Sequence, residues 1–176
     1  MDFQVIRATK EFAFDMGYVH SYSWQEAYTG IIPDEIIRTF TPKNRAKIFL
    51  DVLKNPLEEY YLFKVDDRPA GIASLAKSHE KNMPDYIGEI YSIYFHPDFW
   101  GTEATQKGFQ FCVNRLKDLG FSEITIWVLN DNLRAKRFYE RNGFFLNNFE
   151  YLQPSLGDGK GEIPLLVMTS GKSADR

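Results

Sequence analysis

The sequence is short of cysteine, of long apolar runs and of surplus charge of either sign, and each shortage closes off a class of protein. A single cysteine, Cys112, excludes an intramolecular disulfide and leaves a cysteine-based metal site without partners. It falls among apolar residues at helical spacing and reads as a packing residue. The three histidines, His20, His79 and His96, lie far apart with no ligand spacing to a carboxylate, so no metal is expected. A formal net charge of −3 and a pI near 5.7 provide no electrostatic footprint for nucleic acid. No apolar run approaches membrane-spanning length, and Met-Asp-Phe-Gln-Val-Ile-Arg does not look like a signal peptide. No membrane partner and a cytoplasmic location are therefore the expectations.

What is present is a core. Hydrophobic residues make up 44% of the 176 residues and aromatics 16%, enough for one folded domain. We expect it to span residues 1–170, with a flexible tail over 171–176. Phe3 to Ala8 alternates and predicts a first strand. Thr9 can cap a helix carrying Phe12, Met16 and Val19. Residues 20–32 read as an aromatic-rich connection, and Pro33 predicts a short helix through Phe40. Thr41-Pro42 predicts another to about Leu53. Glu59 to Val65 and Ala70 to Ala76 predict a hairpin, followed by a polar loop from Ser78 to Asp85. Phe145 to Leu152 and Ile163 to Met168 predict a closing antiparallel pair joined by the turn-rich Pro154 to Gly161. The pattern is α+β with a mixed, mostly antiparallel central sheet flanked by helices.

The chain is organised around residues 86–105. Ile90, Tyr91, Ile93, Tyr94 and Phe95 suit a strand, His96-Pro97 ends it, and a turn at Gly101 leads into a helix beginning near Thr105. A strand passing through a tight turn into a helix N-terminus presents free backbone N–H groups, a place to hold a phosphate, although many plain βα units look the same. Downstream, Ile124 to Leu129 predicts a second strand. Asn132 can cap a short helix carrying Ala135, Phe138 and Tyr139, and Gly143 can stop it.

Here the chain resembles the GNAT N-acetyltransferase superfamily. Val128, Asn132, Ala135, Phe138, Tyr139, Gly143 and Phe144 match its pattern Val-x-x-x-Asn-x-x-Ala-x-x-Phe-Tyr-x-x-x-Gly-Phe, and Glu89-Ile90-Tyr91 with Phe95-His96-Pro97 looks like its central strand. The resemblance implies the GNAT (acyl-CoA N-acyltransferase) fold and acetyl-CoA as co-substrate. It implies cofactor contacts at Tyr94, Phe95, His96, Gly101, Thr102, Glu103, Ala104, Thr105, Asn132, Ala135 and Phe138. The sequence departs at the pyrophosphate loop, where the family usually has Gln/Arg-x-x-Gly-x-Gly/Ala, often written Arg-Gly-x-Gly-x-Gly. Trp100 stands for the basic or amide residue, and Glu103 and Thr105 stand for the later glycines. Glycine lets backbone approach a phosphate closely, and a carboxylate at Glu103 could oppose the pyrophosphate by roughly 1 kcal/mol when screened.

Acetyl transfer to an amine needs a held thioester, a neutral amine and a proton for the leaving thiolate. An alkylammonium has a pKa near 10, so about one molecule in a thousand is nucleophilic at pH 7 without a base. Glu89 is the candidate base, against the plain alternative of a strand carboxylate paired with a cation. By resemblance, Tyr139 protonates the thiolate, against the alternative of packing beside Phe138, and the backbone N–H near Phe95 is the oxyanion donor. Direct transfer in a ternary complex follows, without an acyl-enzyme. By resemblance too, Tyr22, Trp24, Glu26 and Tyr28 lie over the acceptor pocket, although helix packing would explain the same residues. Aromatics with Glu26, Asp85 and Glu89 would suit a cationic amine such as a polyamine. The acceptor is a small-molecule or protein amine, and a homodimer is the oligomer such sheets often form. The competing reading is a non-catalytic or regulatory binding module on the same fold, with a degenerate CoA loop; a different acyl-CoA is a third.

Overall fold

The computed structural model describes residues 1–79, 83–154 and 162–170. Seven strands form one sheet: β1 (Phe3–Arg7), β2 (Glu59–Val65), β3 (Arg68–Lys77), β4 (Ile87–Phe95), β5 (Glu123–Leu129), β6 (Phe144–Pro154) and β7 (Glu162–Ser170). Five helices accompany them: α1 (Ala13–Tyr28), α2 (Asp34–Ile37), α3 (Pro42–Val52), α4 (Glu103–Asp118) and α5 (Leu133–Arg141). The order across the sheet is β1-β2-β3-β4-β5-β7-β6. Among the described strands only β4 and β5 pair in parallel, joined by the crossover helix α4 that parallel neighbours require.

Strand alternation sorts the core onto two faces. Tyr61, Phe63, Ala73, Leu75 and Ile90 pack with Phe109, Cys112 and Leu116 of α4. Tyr60, Leu62 and Ile72 turn the other way onto Met16 and Val19 of α1 and Phe49 of α3. A third cluster joins Trp24 and Tyr28 of α1 to Ile37, Phe40 and the end of β5 at Leu129.

Two features of β4 interrupt its pairing. Ser74 pairs with Ser92 but Leu75 pairs with Ile90, so Tyr91 is an extra residue, a β-bulge. The pairing of β4 with β5 covers Ile87 to Ile90 and stops at Ile90↔Ile126. Beyond that point the strands diverge, and β5 continues to Leu129 against β7 alone. The far end of β4 is fixed from its other face. The Phe95 ring stacks on Phe63 at 5.5 Å and fills the space that a side chain at Gly71 or Gly108 would need, a Cβ at either lying 2.5 Å from the ring.

Several element ends differ from expectation for identifiable reasons. Residues 20–28 are the last turns of α1, not a connection; nothing there breaks a helix, and the aromatics supply buried faces. The helix after Pro33 stops at Ile37, not Phe40. Thr9 makes no side-chain cap, and a 3₁₀ turn over Lys10–Phe12 precedes α1. Helix α4 starts at Glu103, two residues before Thr105. Thr41 does cap α3, accepting from the Asn44 N–H at 3.2 Å. The expected connection after Pro154, the tail over 171–176 and part of the polar loop before β4 lie outside the described residues.

One ion network ties the sheet edge to α4. Glu59 accepts a two-pronged pair of bonds from Arg115, at 2.8 and 2.8 Å, a bond from the Tyr61 hydroxyl at 2.7 Å and an ion pair from Arg7 at 2.8 Å. The Arg115 hydrogen bonds above all lower the Glu59 carboxyl to about 2. A depressed carboxyl contributes stability above its unfolded pKa and loses it as pH falls toward the folded one. Glu59→Gln should therefore cost about 1 kcal/mol at pH 7, allowing for solvent screening at this rim, and the difference from wild type should shrink between about pH 5 and pH 2 in urea titrations. Gly71→Ala should cost about 1–3 kcal/mol by overpacking against Phe95, measured the same way.

Candidate active site

The divergence of β4 and β5 opens a cleft through the sheet. Its walls include Tyr91, Ile93, Tyr94 and Phe95 of β4, Trp127 and Val128 of β5, and Ala135, Phe138 and Tyr139 of α5. Ser23, Ala27 and Tyr28 of α1 close one side; Trp100, Gly101 and Thr105 stand at the other. The His96 N–H bonds the Ala70 carbonyl at 2.8 Å. Antiparallel alternation then turns Tyr94 and Ser92 toward β3, and directs the backbone groups of Ile93 and the N–H of Phe95 into the cleft. The Phe95 carbonyl is taken by the Trp100 indole N–H at 2.7 Å. A central strand thus offers the unpaired backbone edge that an amide-bearing ligand can join like an added strand.

Next to this edge, the turn before α4 retains one glycine and a set of helix N–H groups. Gly101 has φ +74°, where glycine is needed. Thr102 is the N-cap residue of α4 but makes no side-chain cap. Its hydroxyl donates to the Phe99 carbonyl at 2.8 Å, and the Thr105 hydroxyl donates to the same oxygen at 2.7 Å. The first N–H groups of α4 have no intrahelical partner, so those of Glu103, Ala104 and Thr105 stay open to an anion. Glu103 is exposed and its carboxylate pairs with Lys107 one turn along at 2.9 Å, away from the turn. Ala104 is fully buried and can offer only its backbone.

Tyr139 is buried and lines the cleft. Burial, then the Tyr94 hydroxyl, pushes its pKa up, so the phenol stays protonated. Asn132 caps α5, its side-chain oxygen accepting the Ala135 N–H at 3.1 Å, and it lies beside the Tyr28 hydroxyl. Ala135 and Phe138 are on the same wall.

Other residues singled out from the sequence fall elsewhere. His96 does not line the cleft; its ring stacks parallel to Tyr18 of α1 at 5.2 Å. Of the four acceptor-side candidates, only Tyr28 reaches the cleft. Trp24 is buried against Phe40 at 4.0 Å, while Tyr22 and Glu26 share an exposed face of α1. A continuous helix turns 100° per residue, so these four cannot face one way.

Glu89 is 1% exposed and sits behind the cleft wall. Its Oε2 accepts the His79 backbone N–H at 3.1 Å and lies 3.6 Å from His79 Nδ1. The other ring nitrogen, Nε2, lies 3.6 Å from Glu58, which itself accepts from the Tyr60 hydroxyl at 2.5 Å and Asn55 at 2.9 Å. The His79 ring sits 4.0 Å from that of Tyr91, a cleft residue. Burial raises the Glu89 carboxyl, the His79 N–H pulling it back. His79 and Glu58 were invisible in the sequence as partners, because only strand register brings them to Glu89. Among the described residues no cluster could hold a metal ion.

A family model described as acetyltransferase (GNAT) family matches residues 20–144. Uncharacterized N-acetyltransferases of Mycobacterium bovis and Mycobacterium tuberculosis are 26% identical over 117 residues, covering 66% of this chain and 72% of theirs. Among solved structures, PaiA N-acetyltransferase from Thermoplasma acidophilum in complex with coenzyme A superposes with TM-score 0.69 at 16% identity, covering 97% of this chain and 99% of that one. YncA from Salmonella typhimurium with its cofactor acetyl-CoA gives TM-score 0.66 at 17% identity, covering 98% and 96%. These likenesses show the fold. With the Glu103 carboxylate already drawn off to Lys107, Glu103→Gly should alter acetyl-CoA affinity by less than about threefold in calorimetry; a gain of about tenfold or more would mean that the carboxylate opposes the ligand.

Proposed function

The chain belongs to the GNAT acetyltransferase family, and on that premise we propose that it transfers acetyl from acetyl-CoA to a primary amine by direct attack in a ternary complex. The observation that carries this reading is the cleft itself: an unpaired β4 edge beside a protonated, buried tyrosine and an open helix N-terminus. Acetyl-CoA supplies the activated acyl group. The backbone groups of Ile93 and the Asn132 side chain would hold its pantetheine amides, and the first N–H groups of α4 its pyrophosphate.

In this reading the Phe95 N–H donates to the thioester oxygen as it gains charge. Glu89 receives the proton released by the attacking amine, through water or His79, because its buried carboxylate does not touch the cleft. Its raised pKa brings it nearer the operating pH, as suits a base. The Tyr139 hydroxyl hydrogen-bonds no described residue and is free to give its proton to the departing thiolate as the C–S bond breaks. The acceptor enters from the α1 side, past Ser23, Ala27 and Tyr28. The Tyr91 ring on the cleft wall suits a cationic amine.

The test is thiol release from acetyl-CoA against a panel of polyamines, monoamines and peptide amines. Tyr139→Phe should lower kcat by about 10²-fold with the acetyl-CoA KM within about threefold. Glu89→Gln should lower kcat/KM for the amine by a similar factor and flatten the acidic limb of its pH profile. Unchanged turnover in both variants would remove these residues from the chemistry. Failure of the wild type to bind acetyl-CoA at all would favour a non-catalytic module.

A further inference from the structure

Among the described residues the cleft carries cations but no carboxylate. Arg134 and Arg141 line it, and no described aspartate or glutamate does, in a chain whose net charge is −3. Arg134 is the more informative of the two. It lies in the first turn of α5, where a positive side chain opposes the helix dipole, and no acidic residue shares that turn. Its guanidinium carbon sits 3.1 Å from the centre of the Trp100 ring. That indole is itself pinned by its bond to the Phe95 carbonyl. Among the described residues no carboxylate lies within ion-pair distance of Arg134; Glu26 acts on it only through space, with Tyr28 and Tyr139. The guanidinium therefore lies over the indole beside the turn before α4, and among the described residues its N–H groups have no hydrogen-bond or ion-pair partner.

Stacking of this kind orients a guanidinium while leaving its in-plane donors free for an oxyanion. Trp100 occupies the position where the GNAT loop pattern has a basic or amide residue, often an arginine. We propose that the charge has moved from the loop to α5: Arg134, held flat by Trp100, binds the pyrophosphate of the acyl carrier alongside the N–H groups of α4. Trp100 is then a positioning residue that turns the missing cation of the loop into a platform for another. This rests on acetyl-CoA being the ligand of the cleft.

The experiment compares calorimetric binding of CoA and of S-acetylpantetheine, which lacks the phosphates, to the wild type and three variants. Arg134→Gln should weaken CoA by about tenfold or more and leave S-acetylpantetheine unchanged, with a shallower salt dependence for CoA. Trp100→Leu should weaken CoA by a smaller factor. Adding Trp100→Arg to Arg134→Gln should recover part of the lost affinity by returning the charge to the loop, a gain that a merely structural role for Arg134 would not produce. CoA binding by Arg134→Gln equal to wild type, or equal losses for both ligands, overturns this inference while leaving the acetyltransferase reading intact. No CoA binding by the folded wild type overturns both.

Discussion

The cleft of this protein depends on β4 and β5 parting company after Ile90 and Ile126. Up to that pair they form an ordinary parallel ladder, buried on both faces. Past it, β4 carries an extra residue at Tyr91 and β5 leans toward β7. A sheet normally satisfies the backbone groups of its middle strands internally, and leaving them open costs free energy unless water or a ligand answers them. Here the opening is flanked by α1 on one face and α5 on the other, so the unpaired edge lies at the bottom of a walled cleft.

The divergence is held by contacts made away from the cleft. The Phe95 ring is locked between Phe63 and the bare backbones at Gly71 and Gly108, which sets where the last residues of β4 can lie. The Trp100 indole then ties the following turn to the Phe95 carbonyl, and Phe99 gathers the hydroxyls of Thr102 and Thr105 onto its own carbonyl. Core packing on the α4 face thereby fixes the turn that opens α4. The side chains at 100, 103 and 105 each have a partner within the fold: Trp100 and Thr105 bond the carbonyls of Phe95 and Phe99, and Glu103 pairs with Lys107.

Much of this was legible in the sequence where a local signal existed. The strand–turn–helix at residues 86–105, the Asn132 cap and the stop at Gly143 rest on patterns within a few residues, and the structure has all three. The continuation of α1 through Tyr28 was missed because a cluster of aromatics was read as a connection, although it contains no helix breaker. The surroundings of Glu89 could not be read at all, since Glu58, His79 and Glu89 come from three segments aligned by register. The same holds for Trp100 and Arg134, more than thirty residues apart and meeting only because α5 folds back over the turn.

An unsatisfied strand edge is normally a liability at the rim of a sheet, where any passing chain can extend it. In this protein such an edge lies in the interior of the sheet, between two strands that are already neighbours. A polypeptide would bring side chains on both of its faces and collide with α1, α5 and the bulge at Tyr91. The geometry therefore disfavours strand addition, and the walls that shape the cleft also shield its unpaired edge.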